Sequence, residues 1–179
     1  MPQAGQIIRA SDFTTYAKAS PATTQAVVNS TAETVVGTLT IPANEATPGS
    51  IYRMTVFGVA SVTAGPLYTL TGRVGGVAGT LLGTLATTAS PGAANKAWTA
   101  ELDLVCLTTG VSGTWAARFR VTDTLASATS VGSVREQNPT STITVNSTVD
   151  QDMVVTWTWG TASPSNSATR FGVIAGRFA

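Results

Sequence analysis

The sequence predicts an all-β fold: a jelly-roll-like two-sheet β-sandwich preceded by an extended N-terminal arm. Three observations carry that expectation. Apolar residues alternate with polar ones wherever the chain is apolar, Gly and Pro punctuate it roughly every ten to twenty residues, and no window holds a 3.6-residue amphipathic pattern. Alternation with period 2 sends successive side chains to opposite faces of a sheet, so each strand has one packed face and one that meets water or a partner.

Residues 1–31 form the arm. They hold Ile7, Ile8, Phe13 and Tyr16 in a sparsely charged segment, followed by an Ala/Thr/Ser-rich stretch through Pro21. Such a segment cannot build a core alone. Ile7, Ile8 and Phe13 are its apolar anchors and Arg9 a polar contact, so these four residues are the expected partner-docking site. Residues 32–179 form the sandwich.

Within the sandwich, Glu33–Ile41, Ile51–Val62, Leu67–Val74 and Thr80–Ala86 alternate as strands. Trp98–Leu107 places Trp98, Ala100, Leu102, Leu104 and Cys106 on one face, with Thr99, Glu101 and Asp103 on the other. Gly113–Val121 sets Trp115, Ala117, Phe119 and Val121 against Thr114, Arg118 and Arg120. The break between these two, Thr108–Gly113, is short and suits a hairpin. Thr142–Val149, Gln151–Trp159 and Thr169–Phe178 complete a set of about nine strands. Breakers fall between them at Pro42–Ser50, Gly65-Pro66, Gly75-Gly76, Ser90–Gly92, Asn138-Pro139 and Ser163–Asn166. Many short strands without helices leave a sandwich or barrel; the immunoglobulin-like sandwich is the rival, but it is ordinarily smaller than this body.

Composition narrows the function. Only 11% of residues are charged, against about 25% in an ordinary domain. An isolated β-protein normally blunts its sheet edges with charge, so under-charged sheets point to a building block that meets other protein. The net charge is +1 with no basic run, which lacks the footprint of a nucleic-acid binder. Met54–Gly72 and Val74–Asn95 contain no charge, yet Pro66, Pro91 and the frequent Gly and Thr argue against membrane-spanning helices. Met1–Arg9 lacks the apolar core of a signal peptide, so the chain is expected to be made and used in a cytoplasm.

Candidate chemistry is thin. With no histidine and one cysteine, Ser-His-Asp and Cys-His arrangements and a Cys/His zinc site are impossible, and neither enzyme activity, cofactor nor metal is expected. Glu101 and Asp103 share a strand face at a separation that would suit a glycosidase pair, but the expectation is a solvated polar face. Asp150 and Asp152 precede a strand, where carboxylates satisfy backbone donors, with no third ligand for calcium. Val74–Thr80 is glycine-rich but lacks the ending of a phosphate loop and reads as a turn. Cys106 lies on an apolar face as a small buried hydrophobe. Trp98, Trp115, Trp157 and Trp159 all fall on apolar faces; core packing is the expected role, with a sugar-stacking platform as the alternative.

The segments Ala4–Phe13, Gly49–Gly58, Gly76–Leu82 and Trp159–Ser167, the last followed by a terminal strand, together span most of the chain. On these the sequence resembles the jelly-roll virion structural proteins of tailed bacteriophages, the head-decoration and minor tail proteins of phages that infect actinobacteria. The resemblance implies a non-enzymatic homo-oligomer, a homotrimer, assembled in the host cytoplasm and built into the virion by its N-terminal segment. Its partners would be other virion proteins, the major capsid protein or tail proteins, with no nucleic acid and no membrane. A capsid decoration protein that stabilises the shell is the leading expectation. A minor tail protein, and a carbohydrate- or host-receptor-binding module, are the alternatives.

Overall fold

The computed structural model describes residues 25–126, 133–139 and 141–178. Ile7, Ile8, Arg9 and Phe13 lie outside them, as does most of the segment 1–31. The described chain forms eleven strands: β1 (Gln25–Val28), β2 (Thr34–Ile41), β3 (Ile51–Ser61), β4 (Leu67–Val74), β5 (Thr80–Thr88), β6 (Lys96–Cys106), β7 (Gly113–Asp123), β8 (Ser133–Gln137), β9 (Ile143–Val145), β10 (Gln151–Trp159) and β11 (Ser167–Arg177). Among the described residues there is no helix, and so none long and apolar enough to cross a membrane.

Two antiparallel sheets pack face to face. The larger has seven strands in the order β1-β11-β3-β6-β7-β8, with β9 sharing the outer edge of β7, and the smaller is β2-β10-β4-β5. Late strands close on early ones: β10 sits between β2 and β4, and β11 beside β3. That closure, with the chain crossing repeatedly between sheets, is the jelly-roll-like element of the sandwich.

Nine of the strands fall where alternation places them. Two do not. Gln25–Val28, the end of the segment assigned to the arm, is a strand of the larger sheet, paired with β11 from Gln25↔Arg170 to Val28↔Ser167. It is held from the other layer as well, because the indole N–H of Trp159 donates to the Val27 carbonyl at 3.1 Å. The second, β8, carries Arg135 and Glu136 and has no apolar alternation to announce it.

Aromatic residues from both sheets fill the space between the layers. Tyr68 stacks on Trp157 at 5.2 Å, and Trp157 meets Trp98 of the opposite sheet at 5.2 Å and Trp159 at 5.1 Å. Opposite this bulk the sequence supplies glycines. A Cβ on Gly83 would lie 2.8 Å from the Phe119 Cβ, and one on Gly37 would lie 2.4 Å from a Val56 methyl carbon. Large side chains on one sheet thus interdigitate with bare backbone on the other, as close packing demands.

Candidate functional site

The strand register builds a charged row on the outer face of the larger sheet. Arg53 of β3, Asp103 of β6 and Arg118 of β7 stand directly opposite one another, and Glu101 and Arg120 do so one step along. Outward-facing neighbours in an antiparallel pair have Cβ atoms about 5 Å apart, so these side chains meet. Arg53 Nε donates to Asp103 Oδ1 at 2.6 Å, Arg118 Nε and Nη2 donate to Oδ2 at 2.9 and 2.5 Å, and Arg120 pairs with Glu101 at 3.4 Å. The hydrogen bond and the charge of Asp103 raise the Arg53 pKa further above its already high value.

This corrects the reading of Glu101 and Asp103 as a merely solvated face. Asp103 retains only 8% of its exposure because two guanidiniums close over it. Both carboxylates are occupied by arginine, so neither is presented as one half of a water-activating pair. The outer halves of Arg53 and Arg118 stay open, at 48% and 41% side-chain exposure. Beside them lies a shallow depression of ≈ 280 Å³ lined by Asp103, Val105, Ala116, Ala117 and Arg118.

Apolar side chains continue the face toward β11. The Arg53 guanidinium lies 5.4 Å from the ring centroid of Phe178, and Phe171, Ile174 and Phe178 are all about half exposed or more. Ile174 pairs with Thr55 and Gly172 with Phe57. Chemically, the surface combines open guanidinium edges, suited to carboxylates or backbone carbonyls, with apolar contact area.

The smaller sheet ends differently. Its outward positions hold threonines: Thr38 and Thr40 on β2, Thr69 and Thr71 on β4, Thr84 on β5, and Thr156 and Thr158 on β10. Glu33 and Arg73 lie across them. Glu33 Oε1 accepts from Arg73 Nε at 3.1 Å and from the Thr156 hydroxyl at 2.7 Å. Burial alone would raise the Glu33 pKa, but these two hydrogen bonds and the charge of Arg73 outweigh it and hold the carboxyl below the ordinary range.

A third set of charges is interior. Asp123 is fully buried and Arg135 pairs with it. Asp123 Oδ1 accepts from the Tyr68 hydroxyl at 2.7 Å and from the Leu125 and Ala126 backbone N–H at 3.1 and 3.3 Å. Burial first, then the bond and charge of Asp123, push the Tyr68 hydroxyl pKa up. This cluster ties β4, β7 and β8 together and fixes the turn after β7.

The remaining candidates resolve into structural roles. Asp150 Oδ1 accepts the Ala43 N–H at 2.8 Å, and Asp152 Oδ1 accepts the Thr40 hydroxyl at 2.7 Å. Cys106 is fully buried, which pushes its thiol pKa up and keeps it protonated. The glycine-rich run is the β4–β5 turn, with Gly75 and Gly76 at φ 91 and 79. All four tryptophans are buried, so they form no sugar-stacking surface. Arg53 was not among the residues the sequence singled out. The hairpin and alternation do imply its neighbours, because pairing across Thr108–Gly113 sets Asp103 against Arg118 and Glu101 against Arg120.

Comparison with family models, with curated proteins and with solved structures gives no match for this chain.

Proposed function

We propose that the chain is a non-enzymatic structural protein of a bacteriophage virion, a capsid decoration protein that cements the shell and docks through its N-terminal arm. The observation that carries the reading is the outer face of the larger sheet. It leaves Phe171, Ile174 and Phe178 exposed beside half-open arginines, while its carboxylates are held in structural pairs. Surfaces of this composition, apolar and arginine-rich with few uncommitted acids, suit protein contact. The resemblance of Ala4–Phe13 and the three other segments to phage virion proteins supplies the setting. A glycan-binding module is not favoured, because the four tryptophans that would form its stacking platform are in the core.

Particles of the phage that encodes this chain, imaged with an antibody against it, test the proposal. Label distributed over the head is the expected result. Label confined to the tail moves the protein to the minor tail alternative, and particles without label overturn the virion role.

A further inference from the structure

We propose that two copies of this chain stack the outer faces of their larger sheets about a two-fold axis that runs along the strands between β3 and β6. The outward charges of this face are sorted by strand: β3 carries Arg53, β6 carries Glu101 and Asp103, and β7 carries Arg118 and Arg120. β3 and β6 are also the middle pair of the path β1-β11-β3-β6-β7-β8. An axis between them lays β3 of each copy on β6 of its partner, so arginine meets carboxylate twice. β11 then lies on the partner's β7, and β1 on the partner's β8, so every strand of the path has a counterpart.

Other placements of a second copy fail on charge or on coverage. An axis across the strands sets β6 on β6, carboxylate against carboxylate. An axis along β3, β6 or β7 sets Arg53, Asp103 or Arg118 on its own counterpart. An axis between β6 and β7 matches the signs, but it leaves Ile174 and Phe178, 61% and 48% exposed, beyond the partner's β8. Axes nearer either edge leave half of the face without a counterpart. Between β3 and β6, charge and apolar coverage are satisfied together.

Valences left open within one copy fit this placement. Arg53 commits Nε to Asp103 and Glu101 commits Oε2 to Arg120, which leaves both Nη atoms of Arg53 and Oε1 of Glu101 without a partner among the described residues. Glu101 lies one outward step along β6 from Asp103, the residue opposite Arg53. The open fork of Arg53 in one copy therefore reaches Glu101 in the other, and such a fork matches a carboxylate. Beside these pairs Ile51 meets Val105 and Phe178 meets Ala116, apolar against apolar, while Ile174 lies on the alkyl stem of Arg120. Aligned sheets cross at about 30°, so register is best near the axis, where Arg53 and Glu101 stand. Strand spacing and rise give a face of about 29 Å by about 25 Å, roughly 700 Å² per copy, against about 800 Å² per partner in a stable interface. The contact is isologous and closes at two copies, not at the three that the resemblance implies. This stacking rests on reading the face as a protein contact, and it names the partner.

Charge reversal in the full chain tests it, read by sedimentation. The parent should form a dimer that dissociates on dilution. Arg53→Glu alone and Glu101→Arg alone each set like charges together at both crossings, and each should weaken association at least tenfold. An equal mixture of the two variants should recover a one-to-one complex within about threefold of the parent's affinity, because every reversed side chain then meets its opposite. Effects of the same substitutions inside one copy do not change on mixing. Val105→Lys, which touches no ion pair, charges the apolar row and should also weaken association at least tenfold with unchanged circular dichroism, so a reversal that fails to fold leaves this variant to decide. A parent monomeric at every concentration, a trimer, a dimer indifferent to Val105→Lys, or a mixture of folded variants no stronger than its components overturns the inference. Shell binding is scored apart: copies that stack yet bind no shell sink the virion reading alone. Copies that bind shells without stacking sink this inference alone.

Discussion

The two outer faces of the sandwich differ in how completely the chain finishes them. On the smaller sheet, threonine hydroxyls meet one another and the Glu33–Arg73 pair lies over Thr71 and Thr156, which retain 6% and 0% of their exposure although they point away from the core. On the larger sheet, three guanidiniums face two carboxylates, and the apolar row along β11 is left bare. Both faces use the same chemistry of arginine over carboxylate. The lesson is that low charge does not by itself mark an interface, since a threonine-covered sheet satisfies itself. Apolar area and open donor capacity remain together only on the face of the larger sheet among these two.

The difference can be broken first at Asp103. Asp103→Ala leaves Arg53 and Arg118 crowded without their shared carboxylate, and it should cost about 2 kcal/mol in urea unfolding at pH 7. A cost below about 0.5 kcal/mol would mean that the row is an ordinary exposed ion-pair set of little worth. A smaller effect tests association. Ile174→Asp should weaken self-association at least tenfold, about 1.4 kcal/mol, with little change in unfolding, whereas Thr158→Asp on the other face should leave association unchanged. Equal effects on sedimentation from the two variants would erase the distinction between the faces.

Glu33→Gln sharpens the contrast from the finished side, at about 1 kcal/mol near neutral pH. The carboxyl titrates below its ordinary value of 4.5 in the folded chain. Its contribution is therefore present above about pH 4.5 and fades as pH falls through the folded value, so variant and parent should converge in acid. At the alkaline end, burial and then the Glu45 charge push the Tyr52 hydroxyl from 10 up to about 12. Stability from that group is present below pH 10 and declines as pH rises toward 12. Tyr52→Phe should flatten the difference in unfolding between neutral and alkaline solution.

Much of this architecture was legible because burial writes itself into period 2. Gln151–Trp159 could be bounded to the residue, since Met153, Val155, Trp157 and Trp159 must all turn inward. β1 was hidden because Gln-Ala-Val-Val shows no alternation of polar and apolar residues, and what fixes it is a long-range indole bond from Trp159. β8 was hidden because Arg135 points inward to Asp123, and a buried charge reads as a surface residue until its partner is known. The charged row was half visible: hairpin pairing of β6 with β7 follows from local sequence. The neighbour on the other side, Arg53, depends on β3 pairing with β6 across more than forty residues, and no local signal encodes that.

Co-sedimentation with phage shells lacking the protein tests the central claim most directly, comparing the full chain with a body truncated by residues 1–20. The full chain should bind saturably. The truncated body should stay folded, with unchanged β-sheet circular dichroism, and remain in the supernatant. Equal binding by the truncated body would contradict docking through the arm and move the shell contact to the outer face of the larger sheet.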